Sequence, residues 1–85
     1  MKLENVQKYV YKLLTDTLSL ESNYFDTHSE NQTFDEIGCD LLSLFDIIES
    51  VESKYNIMID DSVIDDNTTI NDFIKIIYEN VKFFK

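Results

Sequence analysis

Leu3, Val6, Tyr9, Val10, Leu13, Leu14 and Leu18 recur at helical spacing, with Lys2, Lys8 and Lys12 among the positions between them. That pattern predicts an amphipathic helix over about residues 3–18. From Ser19 to Thr33 the periodicity gives way to Ser, Asn, Asp, Thr and Glu, which predicts a long loop tacked to the core by Tyr24, Phe25 and Phe34. Gly38 permits a sharp turn, and Asp40 can accept hydrogen bonds from the unpaired amides of a following helical turn, so a second long helix is predicted over about 41–54. Its expected core stripe is Leu42, Phe45, Ile48, Val51 and Tyr55, with Asp46, Glu49, Ser50, Glu52 and Ser53 facing water. Asp60 to Asn67 has room for one or two helical turns, and Ser62 to Asp65 has the spacing of a capping box. The same spacing in Thr69 to Asp72 opens a last helix through about Val81, which buries Ile70, Phe73, Ile74, Ile77 and Val81. No proline interrupts these segments, and neither strand alternation nor a repeat is visible. The fold class expected is all-α, an up-and-down bundle of three longer helices and one short one.

Composition narrows the function. At 85 residues the chain is expected to be one domain, residues 1–85, near the size at which burial alone barely suffices for stability. Seventeen acids against seven lysines and no arginine give a formal charge of −10, which argues against nucleic acid, whose binders need clustered basic groups. Partners are expected to be basic, and their encounter with this field should weaken as salt rises. A single cysteine excludes an internal disulfide framework and fits a reducing compartment. No apolar run approaches membrane-spanning length, and the N-terminus has no signal-peptide pattern. The expectation is a cytoplasmic monomer that does not insert into membranes.

Candidate reactive groups are few. Cys39 precedes the predicted helix cap, where an exposed thiol would gain thiolate character. It is read instead as a packing residue. His28 stands alone in a polar loop and is read as a surface residue. Asp60, Asp61, Asp65 and Asp66 lack the order and the distal glutamate of a calcium loop, so no metal site is expected. Nucleophile, base and orienting group do not occur at workable spacing, and no enzymatic activity is expected.

Gly38-Cys39-Asp40-Leu41-Leu42 resembles the Gly-x-Asp-Ser-Leu signature of acyl carrier proteins, with Leu41 in the place of the serine. The resemblance extends from Ile37 to Val81 without insertion or deletion. Counted from Leu41, Asp46 falls on the family's helix glutamate and Glu52 on a second recurrent acid. Tyr55 matches the aromatic that ends the long helix, Ile59-Asp60-Asp61 is similar to Ile-Pro-Asp, and Thr68 to Asp72 resembles the opening of the last helix. Each match is weak alone, and their shared register carries the weight. It also excludes Ser43 as the attachment point, since that choice would shift every later match by two residues.

The resemblance implies an acyl-carrier-like four-helix bundle whose relatives carry thioester-bound acyl, polyketide or aminoacyl groups on 4'-phosphopantetheine. Leucine has no heteroatom to receive that arm, so no cofactor is expected on this sequence. In the family this position points away from the core, and Leu44, one turn on, is expected on the same side. The partner-docking residues implied are Asp40, Leu41, Leu42, Leu44, Asp46 and Glu52, facing the basic surface of a synthase, ligase or transferase. The reading favoured is a docking adaptor or degenerate carrier of fatty acid, polyketide or related thioester metabolism. A working carrier whose natural residue at 41 is serine stays open, as does a helical module with no part in acyl metabolism.

Overall fold

The computed structural model describes residues 2–27 and 31–84. Three helices of equal length frame it: α1 (Leu3–Thr17), α3 (Leu41–Tyr55) and α4 (Ile70–Phe84), with a single helical turn α2 (Tyr24–Thr27) in the first loop and a 3-10 turn (Asp61–Val63) in the last. Helix α1 packs against both α3 and α4. The all-α bundle expected from periodicity is therefore present. The long helices begin and end close to their predicted bounds, except that α4 continues past Val81 to Phe84. The first loop also carries α2, which no periodic pattern announced.

The core is continuous through the three long helices. Val6, Val10 and Leu14 of α1 meet Leu44, Ile47, Ile48, Val51 and Tyr55 of α3 and Ile70, Phe73, Ile74, Ile77 and Val81 of α4 in one buried cluster. Each such side chain contributes roughly 1.5–3 kcal/mol relative to exposure. The aromatics of the first loop do the tacking expected of them. Phe25 stacks on Tyr11 at 4.4 Å and Phe34, fully buried, meets Phe73 edge-on at 5.2 Å.

Two connections converge before α3 and α4 and fix how both begin. Thr33 and Thr69 form an antiparallel bridge. On either side of it, the Phe34 amide donates to the Thr68 carbonyl at 3.2 Å and the Ile70 amide donates to the Gln32 carbonyl at 2.9 Å. Thr33 and Glu36 form a reciprocal capping box: the Thr33 amide donates to Glu36 Oε1 at 2.9 Å and the Glu36 amide to Thr33 Oγ1 at 3.1 Å. Gly38 then takes φ +81°, a left-handed conformation open to glycine at no steric cost. The space beside it is open, so the backbone angle and not crowding calls for glycine.

One predicted cap forms and one does not. Thr69 Oγ1 accepts from the Asp72 amide at 3.0 Å, opening α4 as expected. At the 3-10 turn the acceptor is Asp60: Oδ1 takes the Ser62 amide at 3.0 Å and the Ser62 hydroxyl at 2.6 Å. Asp65 instead turns the next segment, its Oδ1 accepting from the Asn67 amide at 2.8 Å. Aspartate competes well for nearby amides in turns, and here each one serves the residue two positions on.

Candidate functional site

Helix α3 starts where Asp40, extended at φ −79° and ψ 175°, turns its carboxylate back over the first turn and accepts from the Ser43 amide at 2.8 Å. That bond holds the Asp40 carboxyl below its ordinary range, because it favours the charged form. Leu41 is the first helical residue and 56% exposed, as the resemblance implied. Leu42 is 76% exposed and Phe45 49%, whereas Leu44 is buried at 1%. Two expectations are thereby corrected. Leu42 and Phe45 do not belong to the core stripe, and Leu44 is not part of an exposed spot.

The reason is angular. At about 100° per residue, Leu42 and Val51 stand about 180° apart on the helix and cannot share one buried face. Leu44, Ile47, Ile48, Val51 and Tyr55 fall within about 100° of one another, and that is the face α3 buries. The compact arc was present in the spacing; counting every third residue drifted off it.

Of the three acids expected to dock, Asp46 and Glu52 differ in what they already do. Asp46 is exposed. Glu52 is half-buried, and its Oε2 accepts from the Ile59 amide at 2.8 Å, tying the segment after the helix back onto it. Its carbonyl accepts from Asn56, which closes α3 in the left-handed conformation at φ 54°, and from Ile57. Glu52 is thus built into the end of the helix, a role that residue type and spacing alone did not signal.

Beyond Leu42 the outward side of α3 borders a shallow, open depression lined by Tyr9, Asp46, Glu49, Ser50, Ser53 and Lys54. Tyr9, from α1, organises it. Its hydroxyl donates to the Ser50 carbonyl at 3.3 Å, its ring meets Tyr55 edge-on at 5.6 Å, and the Lys54 ammonium lies 5.4 Å from the ring centroid. Burial raises the Tyr9 hydroxyl above its ordinary value. Helical spacing places Tyr9 in the α1 stripe and gives no sign of this second role.

Cys39 is 3% exposed, and its thiol is pushed up to about 11, first by burial and then by the neighbouring Asp40 charge. It is a packing residue and not a nucleophile near neutral pH. His28 lies outside the described residues. Asp60 and Asp65 spend their carboxylates on local turns, and the Asp61 side chain is not described. No helix among the described residues is long and apolar enough to cross a membrane.

An exposed helix head behind a glycine turn and an aspartate cap is the local geometry on which the sequence signature rests. The family model described as phosphopantetheine attachment site matches residues 9–77, most of the chain. The chain belongs to the phosphopantetheine attachment site family. No curated protein and no solved structure matches it. Membership brings a carrier-type domain, and carriers of this family interact with synthase-type enzymes.

The residues at the head of α3 do not fit covalent attachment of the family's arm. Leu41, set at the attachment position by the resemblance, is open to solvent but offers only carbon and hydrogen. Ser43, the adjacent hydroxyl, lies about 200° round the helix from Leu41 and is only half-exposed. The family resemblance and the chemistry of this helix head therefore part company at one side chain.

Proposed function

We propose that the chain is a carrier-family docking adaptor that is not primed with phosphopantetheine. It would serve fatty acid, polyketide or related acyl or aminoacyl thioester metabolism by engaging a basic surface on a synthase, ligase or transferase. The observation that carries the reading is Leu41: an exposed side chain without a heteroatom at the helix head of a phosphopantetheine attachment site domain. The net charge of −10 and the exposed Asp46 support the choice of a basic partner.

Intact-protein mass spectrometry tests it. Incubated with coenzyme A and a broad phosphopantetheinyl transferase, the unaltered chain should gain no mass. Leu41→Ser should gain one arm, because the variant restores the hydroxyl without touching the core. Added mass on the unaltered chain, wherever it mapped, overturns the reading.

A further inference from the structure

We propose that the cleft between α1 and the loop carrying α2 binds a free amino acid with an apolar side chain. The site takes no residue from α3 and does not depend on the adaptor reading. It follows from how the chain leaves α1. Ser19 takes the left-handed φ of 56° and the Leu20 amide donates to the Thr15 carbonyl at 2.9 Å, so the loop turns back along the helix. Phe25 then stacks on Tyr11 at 4.4 Å and meets Tyr24 edge-on at 5.0 Å, which ties α2 to α1. Between the turn and the tie lies a half-open cleft of about 390 Å³, walled on its apolar side by Tyr11, Leu20 and Phe25. That volume is at the small end of the range, roughly 300–1,000 Å³, over which small-molecule sites fall.

Charge sets the two ends of the ligand. Residues 1–20 hold three of the seven lysines and two of the seventeen acids, so here an anionic group meets less repulsion than elsewhere on the chain. Two of the four charged side chains at the cleft already answer each other, the Lys12 ammonium lying 3.4 Å from Asp16. Lys8 and Asp26 also border the cleft, and among the described residues neither forms an ion pair within 4.0 Å. One charge of each sign is left over. A zwitterion answers both, whereas a simple anion would face Asp26 and a simple cation would face Lys8. Thr15, 8% exposed, adds a fixed acceptor: its hydroxyl donates to the Lys12 carbonyl at 2.9 Å, which leaves lone pairs on Oγ1 for an N–H donor. In this arrangement the carboxylate of the ligand lies at Lys8, its ammonium at Asp26 and Thr15, and its side chain against Leu20 and Phe25.

Four probes titrated into the isotope-labelled protein decide the matter: phenylalanine, its N-acetyl derivative, its amide, and glycine. Phenylalanine should shift amides within residues 8–26, with a dissociation constant on the order of 1 mM. The other three each lack one feature, the ammonium, the carboxylate or the apolar side chain, and should bind about three- to fivefold more weakly, the size of a contact with an exposed charge. Each charge should also account for its own preference. Lys8→Met should make phenylalanine and its amide bind alike, and Asp26→Asn should do the same for phenylalanine and its N-acetyl derivative, with helical circular dichroism unchanged because both side chains are exposed. Lys75→Met, at an exposed lysine of α4 outside the cleft, should leave all four titrations as they were. Absence of shifts within residues 8–26, shifts centred instead on residues 41–53, or equal binding of phenylalanine and its two blocked forms overturns the site. Each of these results leaves the unprimed-adaptor reading standing, because that reading is decided by mass at the head of α3.

Discussion

The two sides of α3 are made of similar residues and hold quite different positions in the molecule. Leu44, Ile47, Ile48, Val51 and Tyr55 turn inward and are buried in the shared core, while Leu41, Leu42 and Phe45 turn outward and keep about half or more of their surface in water. Hydrophobicity does not distinguish the two sets. Their angle round the helix does, at about 100° per residue. The inward set contributes to stability whether or not a partner is present. The outward set, with half or more of its surface in water, contributes less to the folded chain by itself.

The largest effect should come from exchanging the roles of two adjacent-looking leucines. Leu44→Ala removes packed methyl groups from a site with no route to water, and should lower the free energy of unfolding by about 2–5 kcal/mol in a urea titration. Leu42→Ala should change it by less than about 0.5 kcal/mol, because little surface is lost from contact. Similar costs for the two would mean that the inward and outward assignments are wrong.

Much of this arrangement is legible in the sequence. In α4, Ile70, Phe73, Ile74, Ile77 and Val81 are the apolar residues at helical spacing between polar ones, and all five are buried as expected. Helix α3 is harder because seven of its first eleven positions are apolar, so more than one stripe can be drawn through them. Only the narrower arc satisfies the geometry of a helix packed on one side. The first loop gives up its anchors, Phe25 and Phe34, but not its helical turn, since four residues carry no periodicity. Asp60 and Asp65 take the capping work that spacing assigns to Ser62, because short aspartate turns leave no sequence period at all. At the site, Leu41 is placed correctly on the outside by resemblance, and Glu52 is read for its charge when its hydrogen bond matters more to the fold.

Glu52 and Asp46 sharpen the comparison within the acids. If Glu52 acts as a clamp on the segment after α3, Glu52→Ala should cost about 1–2 kcal/mol, the loss of a charge-assisted bond to the Ile59 amide at a half-exposed site. Glu52→Gln should recover most of that loss, since the amide oxygen still accepts. Asp46→Ala should lie within about 0.5 kcal/mol of the unaltered chain. Thermal or urea unfolding of the three variants reads all of this directly. A destabilising Asp46→Ala beside a neutral Glu52→Ala would reverse the assignment of clamp and contact.

The smallest effect expected is at Asp40, at the start of the helix that carries both faces. The carboxylate accepts from the Ser43 amide, and its pKa lies below the ordinary value of 3.8 in the folded chain. Since folding favours the charged form, the contribution of Asp40 to stability is present above pH 3.8 and is lost as pH falls through the lowered folded value. Asp40→Asn keeps an oxygen acceptor at the cap but cannot titrate, so the melting temperatures of this variant and the unaltered chain should differ by a constant amount near neutral pH and converge on acidification. Asp40→Ala, which has no acceptor, should melt lower than Asp40→Asn near neutral pH and fray the first turn, visible as raised amide exchange at Ser43 and Leu44. A gap between the unaltered chain and the Asp40→Asn variant that persisted unchanged into strong acid would show that the cap does not depend on the charge.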